Sequence, residues 1–353
     1  MALKSRASRR KAERVVTLSV PVMLKQLVIP LLSVAFVATT HAADAPKSKA
    51  PAPAPAKAAP KKPAEYPVKP TLADIPYGPH PKQKMDFWKA ASSKPTPLLF
   101  FVHGGGWMGG DRKSASGMIK PMLDAGISVV SVEYRFIPEA TADKVVPPVK
   151  GPLTDAARAL QFVRSKAAEW NIDKERIGAS GGSAGACTSL WLAFHDDLAD
   201  PKSSDSVARE STRLWCAAVD GAQTTLDPKQ MRDWTPNSRY GGHAFGFTGD
   251  AATKLSQFDE FYNKRDTILP WIAEYSPYAL VTKDDPPIYM NYSAVPGLGQ
   301  DQKDPTHTSN FGVKLQEHCK EIGVPCELHY PGAPDSPHAS SKDYLIEKLK
   351  AAK

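Results

Sequence analysis

The stretch RIGASGGSAGACTSLWLAF, Arg176 to Phe194, contains the pattern G-x-S-x-G twice, overlapping. Gly178-Ala179-Ser180-Gly181-Gly182 is one copy and Gly181-Gly182-Ser183-Ala184-Gly185 is the other. A serine in such a pattern can attack an acyl carbonyl when a sharp strand-to-helix turn holds its hydroxyl clear, and small residues two before and two after let the backbone pass closely. The flanks decide between the copies. With Ser180 at the turn, the strand shrinks to RIG and the helix must open on two glycines, each about 1 kcal/mol worse than alanine in a helix. With Ser183 there, RIGASG is a full strand and AGACTSLWLAF a helix. Ser183 is therefore the expected nucleophile.

A second chemistry-bearing stretch lies some 80 residues upstream. FFVHGGGWMGGD places His103-Gly104-Gly105-Gly106-Trp107 at the carboxyl end of an apolar run. Three glycines in a row let backbone N–H groups approach a substrate oxygen with no side chain in the way. Such donors stabilise the oxyanion of a tetrahedral intermediate, each worth about 10²–10³ in rate. Trp107 reads as a packing wall or a substrate contact, Asp155 as a structural helix residue, and His195–Asp197 as a helix end.

These residues need a scaffold, and the chain from about residue 70 alternates strand and helix. PLLFFVHG (Pro97–Gly104) is a continuous apolar run, as in a strand buried on both faces. ISVVSVEYR, RIGASG, LWCAAVDG, PIYMNYS and CELHYPG are the further predicted strands. Helices are predicted over 115–126, 153–170, from Ala184, over 311–323 and near the C-terminus; LTDAARALQFVRSKAAEW repeats apolar residues on one helical face. Alternation of this kind predicts an α/β fold with a mostly parallel central sheet and helices on both faces. The span 222–272 breaks the rhythm and reads as a cap-like insertion.

Composition limits the partners. The 353-residue chain has a net charge of +8. Residues 1–65 hold twelve Lys/Arg against three Asp/Glu, leaving 33 bases and 34 acids from residue 66 onward. The folded part thus carries about −1, and nucleic-acid binding is not expected of it. Residues 1–42 read as a signal peptide, with Lys25 before the apolar run Gln26–Ala38 and a small-residue cleavage site after Ala42 or Ala43. A start at Met23 would leave an ordinary signal peptide. The run, about 13 residues against the roughly 20 of a membrane span, argues against a stable membrane anchor. Residues 43–67 are a Pro/Ala/Lys spacer, and residues 68–353 the catalytic domain. The chain is expected to be exported, to the periplasm or outside the cell. Of the four cysteines, Cys319 and Cys326 flank one short loop and could pair, whereas Cys187 and Cys216 sit in apolar segments.

With HGGGW and the doubled serine pattern in this order, the chain resembles the α/β-hydrolase fold. More narrowly, it is similar to the HGGG-type carboxylesterases, the hormone-sensitive-lipase-like group and its feruloyl and acetyl esterase relatives. DIPYGPHPKQKMDFW, SVEYRFIPEA, NIDKERIGASGGSAG and ELHYPGAP carry the likeness further, across roughly residues 70–350. The resemblance implies a serine hydrolase of carboxylic esters that works through an acyl-enzyme on Ser183. The oxyanion donors would be the N–H groups of Gly105, Gly106 and Ala184, with no metal or organic cofactor. In that family the order is serine, acid, histidine, each after a successive strand. His338, alone in the loop after the last strand, is then the expected base, with His307 the alternative. Asp304 of Asp304-Pro305 is the expected acid, with Asp301 the alternative. His103 is expected to orient backbone. The loop around His338 departs from the G-x-G-H-G usual in the family. The expected substrate is a small-molecule or carbohydrate-linked ester. An amide or formamide hydrolase with the same triad, and a catalytically silent α/β-hydrolase used as a binding protein, are the competing readings.

Overall fold

A computed structural model describes residues 66–334 and 336–351. The signal peptide and nearly all of the spacer lie outside the described residues. Tyr66, placed in the spacer by sequence, belongs to the folded unit: its hydroxyl donates to Asp86 at 2.7 Å and its ring meets Trp88 edge-on.

Eight strands form one sheet: β1 (Leu72–Pro76), β2 (Lys84–Trp88), β3 (Thr96–Val102), β4 (Ser128–Val132), β5 (Ile172–Gly182), β6 (Cys216–Asp220), β7 (Ile288–Asn291) and β8 (Cys326–His329). Their order across the sheet is β1-β2-β4-β3-β5-β6-β7-β8. The first two pairings, β1 with β2 and β2 with β4, are antiparallel, and every pairing from β4 to β8 is parallel. This is the α/β-hydrolase architecture expected from sequence.

Side chains alternate across the pleat. Leu98, Phe100 and Val102 of β3, Val130 and Val132 of β4, and Ala217 and Val219 of β6 face one core. Helices Lys150–Ser165 and Ala184–Phe194 pack there. Leu99, Phe101, Val129, Cys216, Ala218 and Tyr289 face the other, against helices Ser116–Asp124 and Ser341–Lys350. Both faces are covered, which is why the central strands read as unbroken apolar runs. Pro121 sits inside the helix Ser116–Asp124 without ending it.

The segment between β6 and β7 is the sequence's irregular insertion. It forms short helices Pro228–Trp234, Gln257–Asn263 and Leu269–Tyr275. Met231, Trp234, Phe258, Phe261 and Ile272 join the first core, so the insertion is packed into the domain. All four cysteines are free thiols, and Cys326 is hydrogen-bonded to its neighbour Cys319. Asp155 is buried and structural, accepting from Gln83 Nε2 and from Arg135 through its backbone N–H, Nε and Nη2.

Candidate active site

Ser183 stands between the end of β5 and the helix Ala184–Phe194, with φ 55° and ψ −122°. A non-glycine residue at positive φ is strained and persists only where its surroundings enforce it. Here they do. Ser183 N–H donates to Asp220 O at 3.0 Å, and its own carbonyl accepts from Cys187 N–H. The carbonyl of Val102 crosses so closely that a Cβ on Gly181 or Gly185 would lie 2.2 or 2.1 Å from its oxygen. The flanking glycines are therefore demanded by β3 passing over the turn. Ser180 lies within β5, two positions before its end, paired with Phe101 and Ala218 and buried. Only the second copy of the pattern makes the turn.

A histidine meets Ser183, and it is His307. Its Nε2 lies 2.9 Å from Ser183 Oγ, and its Nδ1 lies 2.8 Å from Asp304 Oδ2. Both residues belong to the loop after β7. Asp304 Oδ1 also accepts from the Thr306 and His307 N–H groups, a turn in which an aspartate bonds its own backbone ahead. That turn presents the carboxylate to the imidazole three residues on. Partial burial works to raise the Asp304 pKa, but the hydrogen bond and charge of His307, with the two amides, hold it below the usual carboxylate value. An ionised Asp304 fixes hydrogen on Nδ1 and leaves Nε2 free to accept the serine proton. Asp301 is exposed and makes no such contact through its carboxylate among the described residues.

His338, the base expected from chain order, is elsewhere. Its Nδ1 lies 2.7 Å from Glu327 of β8 and its Nε2 2.9 Å from Glu347 of the last helix, with Tyr289 and Tyr344 edge-on to its ring. Both ring nitrogens are engaged, so His338 has none to offer Ser183. The last strand ends at His329, and the His338 carbonyl accepts from Tyr289 Oη and Ser336 Oγ, which ties His338 beside β7. The expectation is thus corrected on geometry: the structure brings Ser183, Asp304 and His307 together and leaves His338 out. The readable signal was Asp304-x-x-His307 itself, a spacing that lets one tight turn join carboxylate to imidazole.

The glycine loop lies against the same turn. His103 Nδ1 is 2.8 Å from Gly104 O, and Met108 N–H donates to Gly105 O at 3.0 Å. A trans peptide points its N–H opposite its C=O, so anchoring these carbonyls also aims the N–H groups of Gly105 and Gly106. His103 is held in turn by Tyr134, which stacks on its ring and donates to its carbonyl at 2.6 Å. A residue that sequence left without a role completes the loop: His243 of the insertion donates from Nε2 to Gly106 O at 2.8 Å. Burial lowers the His243 pKa despite that bond, keeping the ring neutral. Ala184 opens its helix, where an N–H has no intrahelical acceptor. Among the described residues the N–H groups of Gly105, Gly106 and Ala184 donate to no backbone carbonyl. Gly105 has φ 115°, and a Cβ there would stand 2.1 Å from Gly109 O. Trp107 is fully buried with Nε1 bonded to Thr188 and serves as packing.

A cleft of about 620 Å³ opens beside Ser183, lined by Phe101, Gly104, Gly105, Asp111, Ser114 and Asp220 among others. A groove of about 530 Å³ lies along His307, with Arg239, Ser293, Gln302, Lys303 and Asp304. Among the described residues no group of three or more His, Cys, Asp or Glu is placed to hold a metal ion. No helix among them is long and apolar enough to cross a membrane. The arrangement offers a nucleophile, a base with its orienting acid, and three N–H donors, the set needed for acyl transfer.

Comparison with known proteins agrees with this architecture. The BD-FAE family profile matches residues 85–294. Esterase LipQ of Mycobacterium tuberculosis is 34% identical over 151 residues, covering 41% of this chain and 34% of that protein. A probable isoprenylcysteine alpha-carbonyl methylesterase of Arabidopsis thaliana is 28% identical over 141 residues, covering 40% of this chain and 28% of its own length. The match thus spans about a third or less of these curated relatives. Among solved structures, an acetyl ester-xyloside bifunctional hydrolase from Caldicellulosiruptor lactoaceticus superposes with a TM-score of 0.53 at 24% identity, over 76% of this chain and 84% of that one. Thermogutta terrifontis esterase 2 phosphonylated by sarin gives 0.56 at 20% identity, over 80% and 95%. These structures share the fold.

Proposed function

The chain belongs to the BD-FAE family, and on that premise we propose that it is a serine carboxylesterase whose triad is Ser183, His307 and Asp304. The observation that carries the reading is the 2.9 Å contact of His307 Nε2 with Ser183 Oγ while Asp304 occupies Nδ1. As Ser183 Oγ attacks the ester carbonyl, its proton passes to Nε2. Asp304 stabilises the imidazolium, and the N–H groups of Gly105, Gly106 and Ala184 receive the oxyanion. When the intermediate collapses, the carbon–oxygen bond to the alcohol breaks and Nε2 returns its proton to that oxygen. Water, deprotonated by His307, then attacks the acyl-Ser183, and acid leaves with the serine restored.

The names of the relatives, esterases and an acetyl ester hydrolase among them, support a small or carbohydrate-linked carboxylic ester as substrate. Export belongs to the same proposal and is supported by the basic stretch, apolar run and small-residue site of residues 1–43.

A fluorophosphonate probe, followed by peptide mapping, tests the reading together with a panel of acetyl, butyryl, feruloyl and formanilide substrates. Covalent label on Ser183 and turnover of esters ahead of formanilide are expected. Folded protein that takes no label would favour the silent binding protein.

A further inference from the structure

Hydrolysis by the Ser183–His307 pair fixes which side of the site receives each half of an ester. The imidazole that takes the serine proton delivers it to the departing alcohol oxygen. The alcohol half therefore leaves on the His307 side, the side on which the groove along that residue lies.

The chemistry of this groove differs from that of the cleft beside Ser183. Its side chains include two cations, Arg239 and Lys303, both exposed. Neither takes part in an ion pair or side-chain hydrogen bond among the described residues. The neighbouring arginines of the insertion are committed: Arg232 bonds Asp259, and Arg265 bonds Asp227 through two nitrogens. The one carboxylate lining the groove is Asp304, whose oxygens are taken up by His307 and two backbone amides. Gln302 is likewise engaged, by Gly297 and Thr308. The cleft beside Ser183 has the opposite character, with Asp111 and Asp220 among its lining residues and no Lys or Arg.

Resting on the esterase reading above, we propose that the groove beyond His307 recognises a carboxylate carried by the alcohol half of the ester, with Arg239 and Lys303 as its readers. A monoanion fits the charge: two cations less one Asp304 leave a single positive charge to neutralise. A doubly charged phosphate would place surplus negative charge against Asp304. Guanidinium also matches a carboxylate in a planar, two-pronged manner. The preferred substrates are then esters of hydroxy acids, acylated on the hydroxyl and bearing a free carboxylate nearby.

The test uses 4-acetoxybenzoate and the uncharged 4-acetoxybenzamide, each rate divided by that ester's hydroxide-catalysed rate. For the full chain, the ratio of kcat/KM for the anion to that for the amide is expected to be roughly tenfold, as for two exposed ion pairs acting together. In the R239Q/K303Q double variant the ratio should fall to about 1, and high salt should erode it in the unaltered protein. Because the readout is a ratio, a general loss of activity cancels. An unaltered protein without preference for the anion, or a ratio that survives the double substitution, overturns the proposal and leaves the esterase reading intact. Failure to hydrolyse either ester, with no fluorophosphonate label on Ser183, overturns both.

Discussion

His307 Nε2 stands 2.9 Å from Ser183 Oγ, across 124 residues of chain. Two loops make the contact, one closing β5 and one leaving β7, both at carboxyl ends of parallel strands, where open α/β sheets gather their sites. The carboxylate that orients the imidazole comes from the same loop as the imidazole. The proposed relay is therefore held by one turn against one strand end, and its parts can be tested separately.

Asp304→Asn should lower kcat with little change in KM. An amide at this position can donate to Nδ1 and so favour the tautomer whose Nε2 carries hydrogen and cannot take the serine proton. A buried aspartate in this role is worth about 10⁴. The Asp304 side chain is 61% exposed, so a loss of about 10²–10³ is expected from steady-state kinetics. An undiminished kcat would remove Asp304 from the relay.

Gly105→Ala addresses the oxyanion loop. Gly105 adopts φ 115°, and an added Cβ would meet the Gly109 carbonyl. The loop must shift, and the loss should fall on kcat by about 10²–10³ with the protein still folded by circular dichroism. A variant with normal kcat would show that this loop is not the oxyanion site.

Ser180→Ala and Gly185→Ala separate the two copies of the serine pattern. Ser180 is buried in β5, three residues before Ser183, and its alanine variant should keep most turnover. Gly185→Ala drives a Cβ into the carbonyls of Val102 and His103, 2.1 and 2.6 Å away. Overpacking of this kind costs about 1–3 kcal/mol or more, and both Tm and activity should drop. Equal losses in the two variants would contradict the assignment of the turn.

His338 should act on stability. Burial disfavours its charge, but the hydrogen bonds it donates to Glu327 and Glu347 raise its pKa above the ordinary 6.5, and His338 in turn lowers Glu347 below 4.5. A histidine raised in the folded state contributes stability that is full below its unfolded value and lost as pH rises through the folded one. Glu347 contributes above its own unfolded value and stops as pH falls through the folded one. His338→Gln should therefore lower Tm more near pH 5.5–6 than near pH 9. A gap that stays constant or widens with pH would contradict this.

Most of the scaffold was legible because the parallel strands are buried on both faces and so appear as apolar runs. β1 and β2 were not read as strands: LADIP lies largely exposed at the sheet edge, and KMDFW carries a charge, Asp86, that Arg112 and Tyr66 satisfy inside the fold. The turn at Ser183 was legible because close backbone approach demands glycine on either side. The base was misplaced for a different reason. Chain order in similar enzymes puts the histidine after the last strand, and His338 lies there. Its surroundings, a strand glutamate and a helix glutamate meeting on one ring, are tertiary and leave no mark in local sequence. The anchoring of Gly106 by His243 is hidden in the same way, since the insertion has no periodicity that points back to the loop.

The central claim, that His307 and not His338 serves Ser183, is tested most directly by kcat/KM of His307→Ala and His338→Ala on one acetyl ester, with folding checked near pH 8. Loss of a triad base in a model serine hydrolase costs about 10⁶. His307→Ala should lose at least about 10³, since the dyad is partly exposed, while His338→Ala retains near-full turnover. The reverse pattern, with both proteins folded, would contradict the account.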